Sequence, residues 1–305
     1  NNSSRFGKFV TMRFDDRHRL VGAEVQTFLL EKSRVVATTA SGERNYHIFY
    51  HVLCGARLLP SSEPEWARLL KRSGCLTIPH VNDQEEYGGL VNALRNIGVS
   101  VTENKEVQEL VAAILALGNL TFGDEDNAES YISEPDVCTL AASLLGTSAS
   151  DMEAALLKAT LKVSKSESYT IDQDPKKAVL GRDAFCKTIY QRLFDYLVMR
   201  INESLGTALA PGLDFIGLLD VFGFEIFEVN SFEQLCINFA NEKLQNFFLR
   251  AVFKAEELAY KNDGIRWEAI TYTDNSGIIE VCEGKDKGIF PTLDSVCKAP
   301  KATDE

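Results

Sequence analysis

The chain has 305 residues, of which 45% are hydrophobic, so it can bury a sizeable core and indicates a globular protein of about one to three domains. Its 44 acidic residues against 32 basic ones leave a formal charge of −12, which disfavours non-specific binding to nucleic acid or to an anionic membrane surface. The seven cysteines are widely spaced without a C-x-x-C pair, which argues against a zinc site or a disulfide framework and favours a reducing, cytosolic setting.

Two strands and then a helical region are predicted from the first half of the chain. Residues 8–14 and 23–30 are rich in β-branched and aromatic side chains and are separated by a polar turn, which is typical of neighbouring strands. From residue 44 the apolar spacing becomes helical. The predicted helices lie within residues 44–53, 63–72, 83–98, 104–120 and 136–146. The apolar run 110–122 is too short to span a bilayer and predicts a buried helix.

A loop and a further helix are predicted next. Residues 162–177 are polar, with mixed charge and a proline, and predict an exposed loop. Residues 182–205 predict a helix with one apolar face. That face consists of Phe185, Ile189, Leu193, Tyr196 and Leu197.

Residues 214–225 interrupt the helical pattern. The continuous apolar run 215–219 predicts a fully buried strand. Asp220, Gly223 and Glu225 follow it directly, and loops at the ends of buried strands commonly bind ligands in α/β sheets. This segment is therefore a candidate site.

A long helix is predicted immediately after this candidate site. It runs from Phe232 to Tyr260, as a rigid rod of about 40 Å at 1.5 Å per residue. Asn230 and Glu233 have the spacing of a capping box at its start.

The first five residues carry groups that suit a bound nucleotide. Ser3 and Ser4 have hydroxyls that can ligate Mg²⁺ or orient a water, and Arg5 is a permanent cation. Asn1 and Asn2 can donate amide hydrogens to phosphate oxygens. Taken singly, such residues more often belong to a solvated chain end or a surface ion pair.

The segment after the predicted buried strand supplies complementary groups. Asp220 can hold a metal-bound water, and the N–H of Gly223 can approach a phosphate because no Cβ intervenes. Glu225 is a natural counter-ion for Arg5, although singly these acids are more often caps or surface charges. Together the two segments offer the groups for nucleoside triphosphate hydrolysis, in which positioning and charge stabilisation supply most of the catalysis.

This joint pattern resembles the myosin motor domain. NNSSRFGK (1–8) is similar to the switch I of that family, and DVFGFE (220–225) is similar to its switch II, with Val221 in place of Ile. Further similar segments follow in family order along essentially the whole chain. They are LLEKSRVV (29–36), GERNYHIFY (42–50), RDAFCKTIYQRLFDYLV (182–198), NSFEQLCINFANEKLQNFF (230–248, similar to the relay helix), GIRWEAI (264–270) and PKATDE (300–305).

The resemblance implies a predominantly α version of an α/β fold, with part of a P-loop NTPase central sheet of the myosin and kinesin kind and a large helical insert. It implies four regions. They are residues 1–40 with switch I and central-sheet strands, 41–212 as a mostly helical upper subdomain, 213–229 with the buried strand and switch II, and 230–305 with the relay helix and the start of a lower, actin-binding subdomain.

The resemblance also assigns roles in binding MgATP. Ser4 would ligate Mg²⁺ directly, and Asp220 would bind it through water. Ser3 would position the attacking water, and Gly223 would donate its N–H to the γ-phosphate. The other residues implied at the nucleotide are Asn1, Asn2 and Arg5.

Arg5 and Glu225 have a further role by the same resemblance. They would form a salt bridge that closes the site during hydrolysis. Its closure would pull on the helix that begins at Phe232, which is how the family couples hydrolysis to the swing of a lever.

Actin contacts are implied in two places. The family has an acidic or phosphorylatable residue sixteen positions before the Asp of the motif that is DAFCK here, and 183 − 16 = 167 gives Glu167, a fixed negative charge. The second place resembles the loop of an actin-binding helix-loop-helix. It consists of Lys298, Ala299, Pro300 and Lys301. Without the resemblance, both would be interpreted as exposed loops.

One family motif does not occur in the sequence. No G-x-x-x-x-G-K-[ST] is found, since Gly7-Lys8 is followed by Phe9 and the later Gly-Lys pair by Asp286. The simplest interpretation is an internal fragment of an actin-activated, Mg²⁺-dependent ATPase. We expect the fragment alone to bind ATP weakly or not at all and to be inactive, because the P-loop is the main phosphate cradle.

The implied ligands and partners are ATP, Mg²⁺ and F-actin, with light chains or calmodulin on a lever arm outside this sequence. The implied location is the cytoplasm, at the actin cytoskeleton. No nucleic-acid partner and no transmembrane segment are expected.

Three alternatives remain open. Kinesins share the N-x-x-S-S-R and D-x-x-G-x-E patterns, but here Phe-Gly-Lys follows Arg5, and 225 − 5 = 220 residues separate Arg5 from Glu225, whereas kinesin switches follow each other closely. A non-catalytic actin-binding pseudo-motor would keep the fold without turnover. A plain helical scaffold would leave the polar DVFGFE segment unexplained.

Overall fold

The computed structural model describes residues 4–36, 42–124, 130–162, 168–206, 212–268 and 273–299. These residues are mostly helical and include small antiparallel sheets. The chain divides into two compact units, Asn1–Phe222 and Gly223–Glu305, and each is described by itself.

The first unit contains seven strands and seven helices within its described residues. The strands are β1 (Gly7–Phe14), β2 (Leu20–Phe28), β3 (Phe122–Asp124), β4 (Ser130–Ile132), β5 (Lys158–Lys162), β6 (Ser168–Asp172) and β7 (Asp214–Asp220). The helices are α1 (His47–Gly55), α2 (Arg68–Lys71), α3 (Asp83–Asn96), α4 (Val101–Asn119), α5 (Pro135–Leu144), α6 (Ala149–Leu157) and α7 (Pro175–Leu205). Short 3₁₀ turns span Lys32–Val35 and Pro64–Trp66.

The main sheet has the strand order β2-β1-β7, with both pairings antiparallel. The prediction of two neighbouring strands near the start is confirmed. Gly217 of β7 lies under the Phe9 ring of β1, where a Cβ would come within 2.6 Å of a ring carbon. The absence of a side chain at Gly217 therefore leaves room for the Phe9 ring against β7.

The prediction that residues 215–219 form a fully buried strand is wrong in part. The strand exists as β7, but every residue of it is exposed, and Phe215 retains 59% of its accessible surface. The reason is position, because β7 is an outer strand and, among the described residues, is hydrogen-bonded to β1 alone. An apolar run predicts a strand, whereas burial depends on what packs against it.

The core of the first unit surrounds α4. Residues 111–117 of this helix are completely buried, as the apolar run predicted. α4 begins with a capping box between Ser100 and Glu103 and packs against α1, α5 and α7. The other helices predicted before residue 146 are also present, except that residues 63–72 form a 3₁₀ turn and the four-residue α2 instead of one helix.

The predicted loop 162–177 needs correction, and the predicted face of α7 is confirmed except at Phe185. The described part of the loop belongs to the β5–β6 hairpin and to the start of α7, which begins at Pro175 with Asp174 as its N-cap. Of the predicted face, Leu193 is buried and Ile189, Tyr196 and Leu197 pack against the core, whereas Phe185 is 38% exposed. The buried residues of α7 are Ala178, Arg182, Cys186, Tyr190 and Leu193.

The second unit consists of α8 (Phe232–Phe248), a π-helical segment (Leu249–Lys254), α9 (Ala255–Asn262), α10 (Ser276–Glu283) and α11 (Ile289–Cys297). The predicted rod is therefore helical throughout but is interrupted by a π-helical segment. The predicted capping box is wrong. Ser231 is the N-cap residue without a side-chain cap bond, and the amide of Asn230 bonds to the backbone of Phe227.

Candidate functional site

Within the first unit, the end of the first polar motif lies beside the beginning of the second. Lys8 stands opposite Asp220 in the β1–β7 register, and its Nζ lies 3.1 Å from Oδ2 of Asp220. Gly7 precedes Lys8 and Val221 follows Asp220, and these two residues are also close. A Cβ on Gly7 would come within 2.9 Å of the Val221 side chain. The antiparallel pairing therefore joins the start of β1 to Asp220 at the end of β7 and to Val221 directly after it.

Arg5 is buried at this junction, with 3% of its surface exposed. Its backbone has φ of +59°, in the left-handed region that a side chain rarely adopts, and such conformations cluster at functional sites. Its Nε donates a hydrogen bond to Oε2 of Glu31 at 2.6 Å. The guanidinium carbon lies 5.5 Å from the centre of the Phe222 ring, within the range of a cation–π contact.

Glu31 is held from several sides. Nε of Arg34 donates to the same Oε2 atom at 2.7 Å, and a second nitrogen of Arg34 lies 2.9 Å from Glu43. The hydroxyl of Tyr46 donates to the carbonyl oxygen of Glu31 at 2.9 Å. Burial, assisted by the charge of Glu31, raises the pKa of Tyr46 well above its usual range, so this hydroxyl stays protonated and remains a donor.

In the second unit, the backbone of Glu225 is attached to α8. Its N–H donates to the side-chain oxygen of Asn238 at 2.9 Å. Its carbonyl oxygen accepts from Asn238 at 2.7 Å and from Gln234 at 3.1 Å. Gln234 and Asn238 are four residues apart on one helical face, so α8 holds this segment through side chains one turn apart. Gly223, two residues earlier, is exposed.

The remaining predicted residues fall into two groups. Ser4 is exposed, and Asp220 has an exposed side chain paired with Lys8. Lys298 follows α11 and pairs with Asp294 at 2.6 Å, and the N–H of Ala299 donates to Val296 at 3.0 Å. Six predicted residues lie outside the described residues. They are Asn1, Asn2, Ser3, Glu167, Pro300 and Lys301.

The donor set near the β1–β7 junction suits Mg²⁺ bound together with a nucleotide. Mg²⁺ prefers oxygen ligands and keeps waters and substrate phosphates among them, so one hydroxyl and one carboxylate from the protein are sufficient. Ser4 and Asp220 carry these two groups. Within the described ranges, no group of three or more His, Cys, Asp and Glu side chains could hold a metal ion by itself.

Sequence reasoning missed the partners that hold the predicted residues. Glu31 lies inside a segment that was recognised as family-like, yet nothing in its spacing indicates a bond to Arg5, 26 residues away. Gln234 and Asn238 could have been noticed as amide side chains with i, i+4 spacing near the start of α8. Phe222 was noted only as a member of the DVFGFE motif, and its ring contact with Arg5 was not predicted.

Comparison with known proteins agrees with these features. The family described as "Myosin head (motor domain)" matches residues 1–305. The chain is 41% identical over 310 residues to the Myosin IB heavy chain of Dictyostelium discoideum, covering 97% of this chain and 28% of that protein. It is 42% identical over 314 residues to Myosin-6 and 43% identical over 317 residues to Myosin-17 of Arabidopsis thaliana, covering all of this chain and 21% and 20% of those proteins.

The fold and the two motifs therefore belong to a motor domain of the P-loop NTPase-like kind. The chain is a member of the myosin head family. It spans about a fifth to just over a quarter of the length of these curated relatives. In the described part of the chain, no helix is both long and apolar enough to cross a membrane.

Proposed function

We propose that this chain is part of an actin-based motor that hydrolyses MgATP to move along actin filaments. The observation that carries the proposal is the match to the myosin head family over residues 1–305. The junction of the two polar motifs in the first unit supports it, because Lys8 and Asp220 are paired there at 3.1 Å. The myosin relatives favour this proposal over a kinesin or a helical scaffold.

In this proposal the two motifs bind MgATP. Ser4 ligates Mg²⁺ directly and Asp220 through a water, while Ser3 positions the attacking water. Gly223 donates its N–H to the γ-phosphate, and its exposure supports this role because the backbone is accessible. Asn1, Asn2 and Arg5 contact the nucleotide. Mg²⁺ supplies charge neutralisation at the phosphates when it is bound.

Arg5 and Glu225 close the site as a salt bridge. A guanidinium and a carboxylate match in a planar, bidentate geometry, so the pair is directional as well as strong. The hydrogen bonds from Gln234 and Asn238 to the backbone of Glu225 support the second half of the proposal. A displacement of Glu225 is transmitted to α8 through them, and this couples hydrolysis to movement.

Actin binds at Glu167 and at residues 298–301 in this proposal. The support is the alignment of motifs, together with the exposed position of Lys298 and Ala299 after α11. The four regions 1–40, 41–212, 213–229 and 230–305 then correspond to switch I with sheet strands, an upper subdomain, switch II, and the relay helix with part of a lower subdomain. Light chains or calmodulin bind to a lever arm outside this sequence, and the motor acts in the cytoplasm on the actin cytoskeleton.

The test is steady-state ATP hydrolysis by the whole protein, with and without actin filaments. We expect Mg²⁺-dependent turnover that actin accelerates, with removal of Mg²⁺ by EDTA lowering the basal rate. Binding to actin without any hydrolysis would instead identify a non-catalytic pseudo-motor. Absence of both would contradict the proposal.

A second measurement concerns the 305 residues alone. Since their sequence contains no G-x-x-x-x-G-K-[ST], we propose that they bind ATP weakly or not at all. A calorimetric titration with MgATP measures this directly. Tight, Mg²⁺-dependent binding would show that these residues contain a sufficient phosphate site.

A further inference from the structure

Glu31 contacts both the main chain and the side chain of Arg5. The N–H of Glu31 donates to the carbonyl oxygen of Arg5 at 3.0 Å, and Nε of Arg5 donates to Oε2 of Glu31 at 2.6 Å. The two side chains are 4% and 16% exposed, so the pair is largely shielded from water. A charge-assisted bond in such a place restricts the guanidinium more than an exposed ion pair would.

The bond to Nε determines which edge of the guanidinium faces Glu31. An arginine has five N–H donors in a rigid plane, with Nε on the side edge and the two terminal nitrogens on the end edge. Glu31 engages the side edge through Nε. The end edge is the one that projects farthest from the backbone of Arg5 and can present two parallel donors to another carboxylate.

Glu31 is also held in place by residues other than Arg5. Its carboxylate oxygen also accepts from Nε of Arg34 at 2.7 Å, and its carbonyl oxygen accepts from the Tyr46 hydroxyl at 2.9 Å. Arg34 is 4% exposed and donates in turn to the backbone oxygen of Arg44 at 3.1 Å. Bonds from surrounding groups of this kind are what hold a functional side chain in one geometry.

We propose that Glu31 is a positioning residue for ATP hydrolysis, which holds Arg5 by Nε and so fixes the plane of its guanidinium and the direction of its end edge. This role rests on the proposed function. Glu31 contacts neither nucleotide nor metal in it and acts through Arg5. Its contribution is orientation, since a small misplacement of a charge-stabilising group slows the chemical step.

The test compares four forms of the whole protein: wild type, Glu31→Ala, Glu31→Gln and Glu134→Ala. Glu134 is a matched control, because it is also a partly buried carboxylate of the first unit, bonded to Thr121 and Arg68. We expect Glu31→Ala to slow the single-turnover hydrolysis step by about ten- to a hundredfold while MgATP affinity changes by less than about twofold. Glu31→Gln keeps an oxygen that accepts from Nε and recovers part of the rate, and Glu134→Ala leaves the rate unchanged.

A double-mutant cycle separates positioning from general stability. Lysine has no Nε–H in a guanidinium plane, so Glu31→Ala in an Arg5→Lys background is expected to cause no further loss of rate. Additive losses, or an unchanged rate in Glu31→Ala, would overturn the inference.

An NMR measurement does not depend on activity. The Nε–Hε signal of Arg5 is expected to be protected from exchange in the wild type, to lose protection in Glu31→Ala and to keep it in Glu134→Ala. If the Nε–Hε signal stays protected in Glu31→Ala as well as in Glu134→Ala, the inference is contradicted. A wild-type protein without hydrolysis would instead contradict the proposed function, while the NMR comparison would still report on the bond between Glu31 and Arg5.

Discussion

The Nζ atom of Lys8 lies 3.1 Å from Oδ2 of Asp220, across a β1–β7 pairing that brings together residues near the two ends of the first unit. Two motifs that are far apart in the sequence are neighbours because β1 lies between β2 and β7.

The proposed bridge between Arg5 and Glu225 can be tested by exchanging its charges. In the whole protein, we expect Arg5→Glu or Glu225→Arg alone to reduce hydrolysis by about a hundredfold or more, because each places like charges together. The double exchange is expected to restore part of the rate, measured as single-turnover phosphate release. A double variant no faster than the single ones would contradict a direct pairing.

Two glycines within helices form a matched pair for a stability test. A Cβ on Gly118 of α4 would come within 2.4 Å of the Leu69 side chain, whereas a Cβ on Gly181 of α7 has open space around it. We expect Gly118→Ala to destabilise the protein by about 1–3 kcal/mol through overpacking. Gly181→Ala is expected to stabilise it by about 0.5–1 kcal/mol through helix propensity. Urea unfolding of both variants measures the difference, and equal effects would contradict the packing of α4 on α2.

Stability is expected to fall as the pH falls below about 6.5, because of two histidines of α1. The rings of His47 and His51 have centroids 6.3 Å apart and face Asp83 and Glu86 of α3, with Arg44 nearby. Burial lowers the pKa of both imidazoles below the ordinary value of 6.5, and the carboxylates offset this only in part.

The sign follows from proton binding by the two states. Because the folded pKa is the lower one, the unfolded chain binds more protons in this range and is favoured as the pH drops through 6.5 towards the folded pKa. Urea unfolding between pH 7.5 and pH 5 measures the trend. The His47→Gln/His51→Gln variant should flatten it, and an identical slope in that variant would assign the dependence to other groups.

Glu167 is predicted to act on actin and not on hydrolysis itself. We expect Glu167→Ala to lower actin-activated turnover several-fold through loss of a fixed negative charge, with basal turnover unchanged. Asp172→Asn is the control, because it removes a negative charge from β6 of the neighbouring hairpin. Equal loss of basal and activated rates in Glu167→Ala would place this residue elsewhere in the mechanism.

The positions of helices and strands were more predictable from the sequence than the burial of their residues. The buried helix at residues 110–119 was predictable because a long apolar run can be accommodated in few ways. β7 was predictable as a strand but not as an exposed one, since exposure depends on its neighbours in the sheet. The apolar face of α7 was predictable except at its start, where Cys186 is buried and Phe185 is exposed, because the packing partners select among neighbouring apolar residues.

The sequence by itself determined the family, most of the helices, the strands β1, β2 and β7, and the residue types of the candidate site, because these depend on local pattern and on motifs that can be read in order. Only the tertiary structure decided that Lys8 faces Asp220, that Glu31 holds Arg5, and that Gln234 and Asn238 hold the backbone of Glu225. Hydrogen bonds and ion pairs between distant residues require donor and acceptor to lie about 3 Å apart, and that distance is set by how strands pair and helices pack. Residue spacing along the chain does not specify it.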